Sequence, residues 1–400
     1  MISVLKAKQI ILKNTKILLE ERKSSAEALN CILAENICAS QDWPPFCRST
    51  MDGFAVRSKD IVKAALEGGV SLKIVDTSFA GFPAKKTLKE NQAIRIMTGA
   101  IVPSGADCVV MQEDTKRDSQ NVEIFRGVKR GSNLRLKGAD SKKGDLIISK
   151  GSKITPGIIG LFASFGKEYV KVSKTPKVGI LVTGDELVLS DRKPKAGQIR
   201  SANEHALCAQ LREIGVESEF LGIARDNQKD LEKKIRKGLR KDILLISGGV
   251  SVGDRDIVQE VLKKVSAKIL FWKVAIKPGK PLIFAKKNQC HIFGLPGNTV
   301  SGMVSLKKFV MPCISKMRGQ KRELLKTAEA ILDHNIKVEP RRQKLMRGIV
   351  SQKKNKLFVR LSAHQVSENI MSIAKANCFF KIEEGVASLK KGQVIIVEYL

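Results

Sequence analysis

Between residues 175 and 319 the apolar positions fall into short unbroken runs, separated by stretches with helical spacing. Ile243-Leu244-Leu245-Ile246, Val178 to Val182 and His291-Ile292-Phe293 lack the polar alternation of a half-exposed strand. Such runs, rich in branched residues, predict parallel strands covered on both faces. Ile257, Val258, Val261 and Leu262 recur at helical spacing, and further helices are predicted over 203–214 and 227–239. Strand alternating with helix over this length predicts an α/β unit with a mostly parallel sheet.

Elsewhere the pattern changes. Ser24-x-x-Glu27 reads as a capping box opening a helix with Leu29, Ile32, Leu33 and Ile37 on one face. Trp43-Pro44-Pro45 ends that pattern. From Phe46 to Asp140 short strands are predicted at 73–75, 93–97, 108–111 and 122–125, which makes this stretch β-rich. A second helix is predicted over 156–165, with Pro156 suited to its first turn. Beyond Lys321 alternating runs at 345–350, 357–361, 378–382 and 394–397 predict a small all-β tail, barrel or sandwich.

Composition narrows the class. A chain of 400 residues exceeds what one hydrophobic core supports, so several domains are expected. With 43% apolar and 28% charged residues it has the balance of a soluble globular protein. No window has the unbroken apolar length of a membrane span, and the lysine-interrupted N-terminus lacks a signal-peptide layout. The 8 cysteines are scattered without a C-x-x-C or Cys/His cluster, which predicts reduced thiols and a cytoplasmic location. The 72 basic against 40 acidic residues give +32, a balance that favours polyanions. These lysines are dispersed, however, and only 2 Trp and 2 Tyr are present to stack on bases. We expect a solvated basic surface, with no specific nucleic-acid partner and no membrane partner.

The candidate chemistry lies where the central strands end. The run ending at Ile246 feeds SGGVSVGDRD, in which Gly248, Gly249, Ser251 and Gly253 precede Asp254 and Asp256. Glycines allow tight turning and close ligand approach, and the following helix start points N–H groups at an anion. Two aspartates there would repel a bare phosphate, so a bridging divalent cation is the natural third party. A tight turn with a charged first helical turn is the plainer alternative. Two further strands end in Thr183-Gly184-Asp185-Glu186 and Gly294-Leu295-Pro296-Gly297-Asn298, and FWKVAIKPGKP brings Lys273, Lys277 and Lys280 between the last two units. Ligands of open parallel sheets sit where such loops meet. Asp226 could equally cap the helix that follows it.

In this order TGDEL, SGGVSVGDRD, KPGKP and LPGN resemble the molybdopterin molybdenumtransferase family, which is related to the C-terminal domain of gephyrin. Ser49-Thr50-Met51-Asp52-Gly53-Phe54-Ala55-Val56 resembles the family's S-x-M-D-G-[YF]-A-V segment. The stretch from Arg95 to Asp107 resembles R-I-x-T-G-A-x-x-P-x-G-A-D. Six ordered segments cover most of the chain.

The resemblance implies a multidomain α/β plus β protein. A central doubly wound, three-layer α/β molybdopterin-binding domain (175–319) would be joined to a β-rich inserted domain (46–140). A discontinuous N-terminal domain (1–45 with 141–174) and a C-terminal β-barrel (320–400) complete it. The implied activity is insertion of molybdate into adenylylated molybdopterin with release of AMP, completing the molybdenum cofactor. Glu186, Asp226 and Asp256 would be the acids around Mg²⁺. Lys273 and Lys277 would face the ligand's anionic groups, and Asp52 and Thr98 match two further catalytic positions. Gly248, Gly249, Ser251, Gly253, Pro296, Asn298 and Ser367 would line the ligand site, with Asp140 and Arg342 or Arg347 as additional polar candidates. The family works as a homodimer with the active site completed across the interface, and molybdopterin adenylyltransferase is its upstream partner. A catalytically weak molybdopterin-binding or scaffold protein of the same fold is the alternative.

Two positions depart from the family pattern. Thr299 follows Asn298 where the family has proline, so a loosened helix start is expected. Ser201-Ala202-Asn203 stands where the family has D-[ST]-N, which removes an acid from the pterin-binding loop.

Overall fold

A computed structural model describes residues 1–250, 257–321 and 326–400. Ser251, Gly253 and Asp256 of the expected site therefore lie outside the described residues. The chain forms two compact units, Met1–Glu35 with Lys150–Gly160 and Glu168–Leu400, and Asn36–Ser149 with Leu161–Lys167.

The larger unit is built on a sheet with, among the described residues, six strands. Its order is Ser218–Ala224, Val178–Thr183, Ile243–Ser247, Cys290–Leu295, Ile283–Lys287 and Lys268–Trp272. The first four are parallel and Ile283–Lys287 alone runs antiparallel to both its neighbours, so the parallel strands deliver their carboxyl ends to one edge. Side chains alternate between two cores, as a period of two dictates. Val178, Ile180, Val182, Ile243 and Leu245 pack with Leu207, Leu211, Val300 and Val304. Leu181, Leu244, Ile246 and Ile292 pack with Leu231, Ile235, Val258 and Val261. Helices thus cover both faces, giving the expected doubly wound, three-layer arrangement. Helices Asn203–Glu213 and Gln228–Gly238 lie where periodicity predicts them.

The C-terminal strands close on themselves. Gln343–Lys353 pairs with both Lys356–Leu361 and Cys378–Ile382, and Thr327–Leu332 and Val394–Tyr399 complete the ring as a five-stranded barrel. The start of Gln343–Lys353 also pairs with Ile276–Lys277, which joins the barrel to the lysine-bearing segment.

The helix expected after Ser24 is absent. Only a 3₁₀ turn forms at Ser25–Glu27, and Asn30 takes a left-handed conformation, φ 64°, that no helix continues through. The apolar residues are buried by non-local pairing instead: the Leu33 amide donates to the Ser152 carbonyl and the Ser173 amide to Ile32. Helix Pro156–Ser164 forms as predicted.

The smaller unit carries a six-stranded sheet ordered Cys108–Met111, Gly53–Val56, Gln92–Ile96, Val70–Ser78, Asn121–Ile124 and Thr115–Arg117. Its second strand begins with Gly53, where any Cβ would stand 1.9 Å from the Val110 carbonyl oxygen.

Candidate functional site

At the carboxyl ends of the parallel strands the larger unit holds an open cavity of about 440 Å³. Glu186, Asp226, Gly248, Gly249, Pro296 and Asn298, all expected from sequence, line it. Each comes from a loop that a buried apolar strand terminates, which is why residues spread over a hundred positions converge there.

Backbone geometry explains the glycines. Gly248 has φ 104° and Gly249 φ 64°, and a Cβ on Gly248 would meet the Thr183 carbonyl oxygen at 2.4 Å. Only glycine permits this close passage between neighbouring strand ends. Gly248 N–H donates to the Leu295 carbonyl, tying the glycine loop to the Pro296 turn.

Asp226 does not cap its helix. Asn227 does so, its side chain accepting from the Asp230 amide at 2.9 Å. Asp226 Oδ1 instead accepts from Thr183 Oγ1 at 2.9 Å, and Oδ2 accepts from the Asp185 amide at 3.3 Å. The carboxylate is therefore held at the cavity with lone pairs to spare. Glu186 is exposed and lines the same cavity, its carboxylate lying against Gly184, where an added Cβ would stand 2.5 Å from Oε2. Carboxylate oxygens are hard donors of the kind that suits Mg²⁺. Among the described residues no three His, Cys, Asp or Glu side chains form a metal cluster.

Asn298 begins the helix Thr299–Ser305 but makes no side-chain cap. Its amide donates to Ser367 Oγ at 3.3 Å and to Glu368 Oε1 at 3.0 Å, so Ser367 reaches the site through Asn298. The Glu368 carboxyl is held below its usual range, first by its own backbone N–H and then by Ser367 and Asn298. Lys273 and Lys277 do not line the cavity. Lys273 has φ 69°, and its ammonium lies 3.6 Å from the centroid of the Trp272 ring. The indole N–H of Trp272 donates to the Val250 carbonyl at 3.2 Å, the last described residue of the glycine loop. Lys277 is exposed, and Lys344 beside it is pushed down by burial and then by the Lys277 charge.

Arg347 is not available to a ligand. It is 1% exposed, and its guanidinium donates to Ser372 Oγ at 3.1 Å and the Val366 carbonyl at 3.1 Å. Burial pulls its pKa down to about 10. Its role is to hold the barrel loop that carries Ser367. In the smaller unit Asp140 is engaged by Arg135, and Asp52 Oδ1 accepts from both the hydroxyl and the amide of Thr98 at 2.7 Å. Those two bonds, hydroxyl first, hold the Asp52 carboxyl below its ordinary range.

Sequence reasoning named the segments that hold Thr183 and Trp272 without giving either residue a role, and it missed Glu204. Thr183 opens the segment that ends in Glu186, Trp272 adjoins Lys273, and Glu204 stands three residues beyond Ser201, the only local signals they carry. Thr299, expected to loosen its helix, donates its hydroxyl to Asn203 Oδ1 at 2.5 Å.

Comparison with known proteins covers nearly the whole chain. Residues 2–166 match the family described as MoeA N-terminal region (domain I and II), 179–316 a probable molybdopterin binding domain, and 329–400 the MoeA C-terminal region (domain IV). The molybdopterin molybdenumtransferase of Haemophilus influenzae is 36% identical over 376 residues, 93% of this chain and 92% of its own. That of Bacillus subtilis is 35% identical over 376 residues, covering 93% and 87%. A crystal structure of a molybdopterin biosynthesis MoeA protein from Pyrococcus horikoshii superposes with a TM-score of 0.86 at 26% identity, covering 100% of both chains.

Proposed function

The chain belongs to the molybdopterin molybdenumtransferase family, and we propose that it inserts molybdate into adenylylated molybdopterin, releasing AMP and completing the molybdenum cofactor. The observation that carries this reading is the cavity at the parallel strand ends, lined by the segments that the family resemblance singles out. The ligand's dithiolene supplies the metal-binding sulfurs, so the protein's task is to position anionic groups and neutralise their charge.

In this reading the Gly248-Gly249 turn receives the phosphate region, because glycine lets the backbone come close. Glu186 and Asp226, with Asp256, would hold Mg²⁺, which would supply positive charge to neutralise phosphate oxygens. Lys273 and Lys277 supply the remaining positive charge, with Lys273 oriented by the Trp272 ring. Ser367 and Asn298 form the barrel-side wall, and Ser251 and Gly253, which follow Gly249 in sequence, are assigned to the ligand site. Asp52 and Thr98 of one protomer complete the site of a second in a homodimer. The domain limits at 45, 140, 174 and 319, a cytoplasmic location and an upstream molybdopterin adenylyltransferase belong to the same proposal. Among the described residues no helix is long and apolar enough to cross a membrane.

The test is AMP release from adenylylated molybdopterin, with molybdate and Mg²⁺ present or omitted, for wild type, Asp226→Asn and Asp256→Ala. Molybdate-dependent release that collapses in both variants is expected. Tight ligand binding without turnover by wild type would refute the transferase reading and favour a scaffold.

A further inference from the structure

One wall of the cavity has a polarity that the proposed chemistry does not use. Ser201 lines the cavity yet is 3% exposed, and its hydroxyl donates to Glu204 Oε2. Glu204, on the first turn of Asn203–Glu213, is 4% exposed. Its Oε1 makes no hydrogen bond, and the exposed His205 ring nitrogen stands 3.6 Å away. A carboxylate so deeply buried is costly unless its charge acts on something nearby.

A serine hydroxyl has one proton and two lone pairs. With that proton committed to Glu204, Ser201 shows the cavity only an acceptor, backed by negative charge. Asn203 beside it cannot change the polarity. Its amide donates to Ser247 Oγ at 2.8 Å and the Gly297 carbonyl at 2.6 Å, and its oxygen accepts from Thr299. The ligand group that meets this wall must therefore be a hydrogen-bond donor, and an anionic group is repelled from it.

We propose that Ser201 and Glu204 together recognise a hydrogen-bond-donor edge of the substrate, an amino group of one of its two heterocycles, with Ser201 in contact and Glu204 as the positioning residue. This rests on the function proposed above. The pair does with two residues what one carboxylate at position 201 would do.

The experiment measures equilibrium binding of adenylylated molybdopterin and steady-state AMP release for wild type, Glu204→Gln and Glu204→Gln/Ser201→Asp. Glutamine keeps the shape of Glu204, but its amide can donate to Ser201 and turn the hydroxyl proton toward the cavity. Kd and KM should rise about tenfold in Glu204→Gln, the scale of one reversed hydrogen bond, with kcat changed far less. Aspartate at 201 in the same background should restore both. A merely structural Glu204 would not be rescued by an acid at 201, so absence of rescue in a variant that melts like wild type overturns the inference. Unchanged binding in Glu204→Gln overturns it as well. Failure of wild type to bind the substrate would sink the proposed function instead. Should Glu204→Gln not fold, Ser201→Ala tests the contact directly, and undiminished affinity there refutes it.

Discussion

Asn203→Ala should loosen the cavity wall by an amount that the structure sets. Asn203 is 7% exposed and makes three bonds: to Ser247 Oγ at 2.8 Å, to the Gly297 carbonyl at 2.6 Å, and from Thr299 Oγ1 at 2.5 Å. Ser247 keeps a partner without it, because its hydroxyl also donates to the Pro296 carbonyl at 3.3 Å. The Gly297 carbonyl and the Thr299 hydroxyl lose theirs. Gly297 is exposed and Thr299 half-buried, so water re-pairs both groups, and at about 0.5–1.5 kcal/mol for each bond lost the substitution should cost about 2 kcal/mol. Thr299→Val removes a single bond and should cost about 1 kcal/mol. If both act through the same contact, the double variant should fall short of the sum by about 1 kcal/mol. Thr299→Pro exchanges that bond for a fixed φ worth about 0.4–1 kcal/mol, so it should be nearly neutral. Because a chain of this size need not unfold in one step, the measurement is native-state hydrogen exchange at the Gly248 amide, which reports opening of this wall. Exchange at Gly248 unchanged by Asn203→Ala, or strict additivity with Thr299→Val, would refute the network.

Three further outcomes follow from local geometry. Gly248→Ala forces a left-handed φ of 104° on alanine and a Cβ 2.4 Å from the Thr183 oxygen, so ligand affinity should be lost with a local cost of about 1–3 kcal/mol. Gly297→Ala, whose nearest neighbour would be Gly248 Cα at 3.6 Å, is the control and should retain binding. Thr98→Val removes the larger cause of the depressed Asp52 pKa, so an NMR titration should show it rising toward 3.8. The depressed value means that the Asp52–Thr98 contact persists above the ordinary aspartate range and is lost as pH falls through the folded pKa. An unchanged titration in Thr98→Val would show that the hydroxyl contributes nothing. Trp272→Phe keeps a ring under Lys273 but loses the Val250 bond, whereas Trp272→Leu loses both. KM for the adenylylated substrate should therefore rise in the order wild type, Phe, Leu, and equal effects of Phe and Leu would eliminate the cation–π role.

The central sheet was legible because its strands are unbroken apolar runs whose only stable place is between two helical layers. Helix Asn203–Glu213 ends one residue from its expected limit for the same reason. The segment after Ser24 was misread because Ile32, Leu33 and Ile37 satisfy helical spacing and edge pairing equally well. The choice was made by carbonyls more than a hundred residues away, such as Ser152. The same limit applies at the site. Glycines, acids and the LPGN turn announce themselves by residue type, so the strand-end loops could be named. Sequence does not show which way a side chain turns once there. Asn298 faces Ser367 rather than its own helix, Asp226 is taken by Thr183, and Arg347 is sealed among barrel residues.

The two departures from the family pattern show why a motif should be judged by its neighbours in space. Considered singly, Thr299 loses the stiffness of proline and Ser201 loses a charge. Both side chains end on the same short stretch of helix: Thr299 on Asn203, and Ser201 on Glu204. Asn203 then binds the strand end at Ser247 and the turn at Gly297, so the helix start, glycine loop and LPGN turn share one polar junction. A hydroxyl at 299 gives that junction a donor which proline could not provide. The glutamate at 204 restores, one helical turn on, the negative charge absent at 201. Buried polar groups tolerate substitution only when donors and acceptors remain matched, and here both exchanges keep the match. The wall has thus changed its residues while keeping its hydrogen-bonding character, and the variants at 201, 203, 204 and 299 test that one claim from four sides.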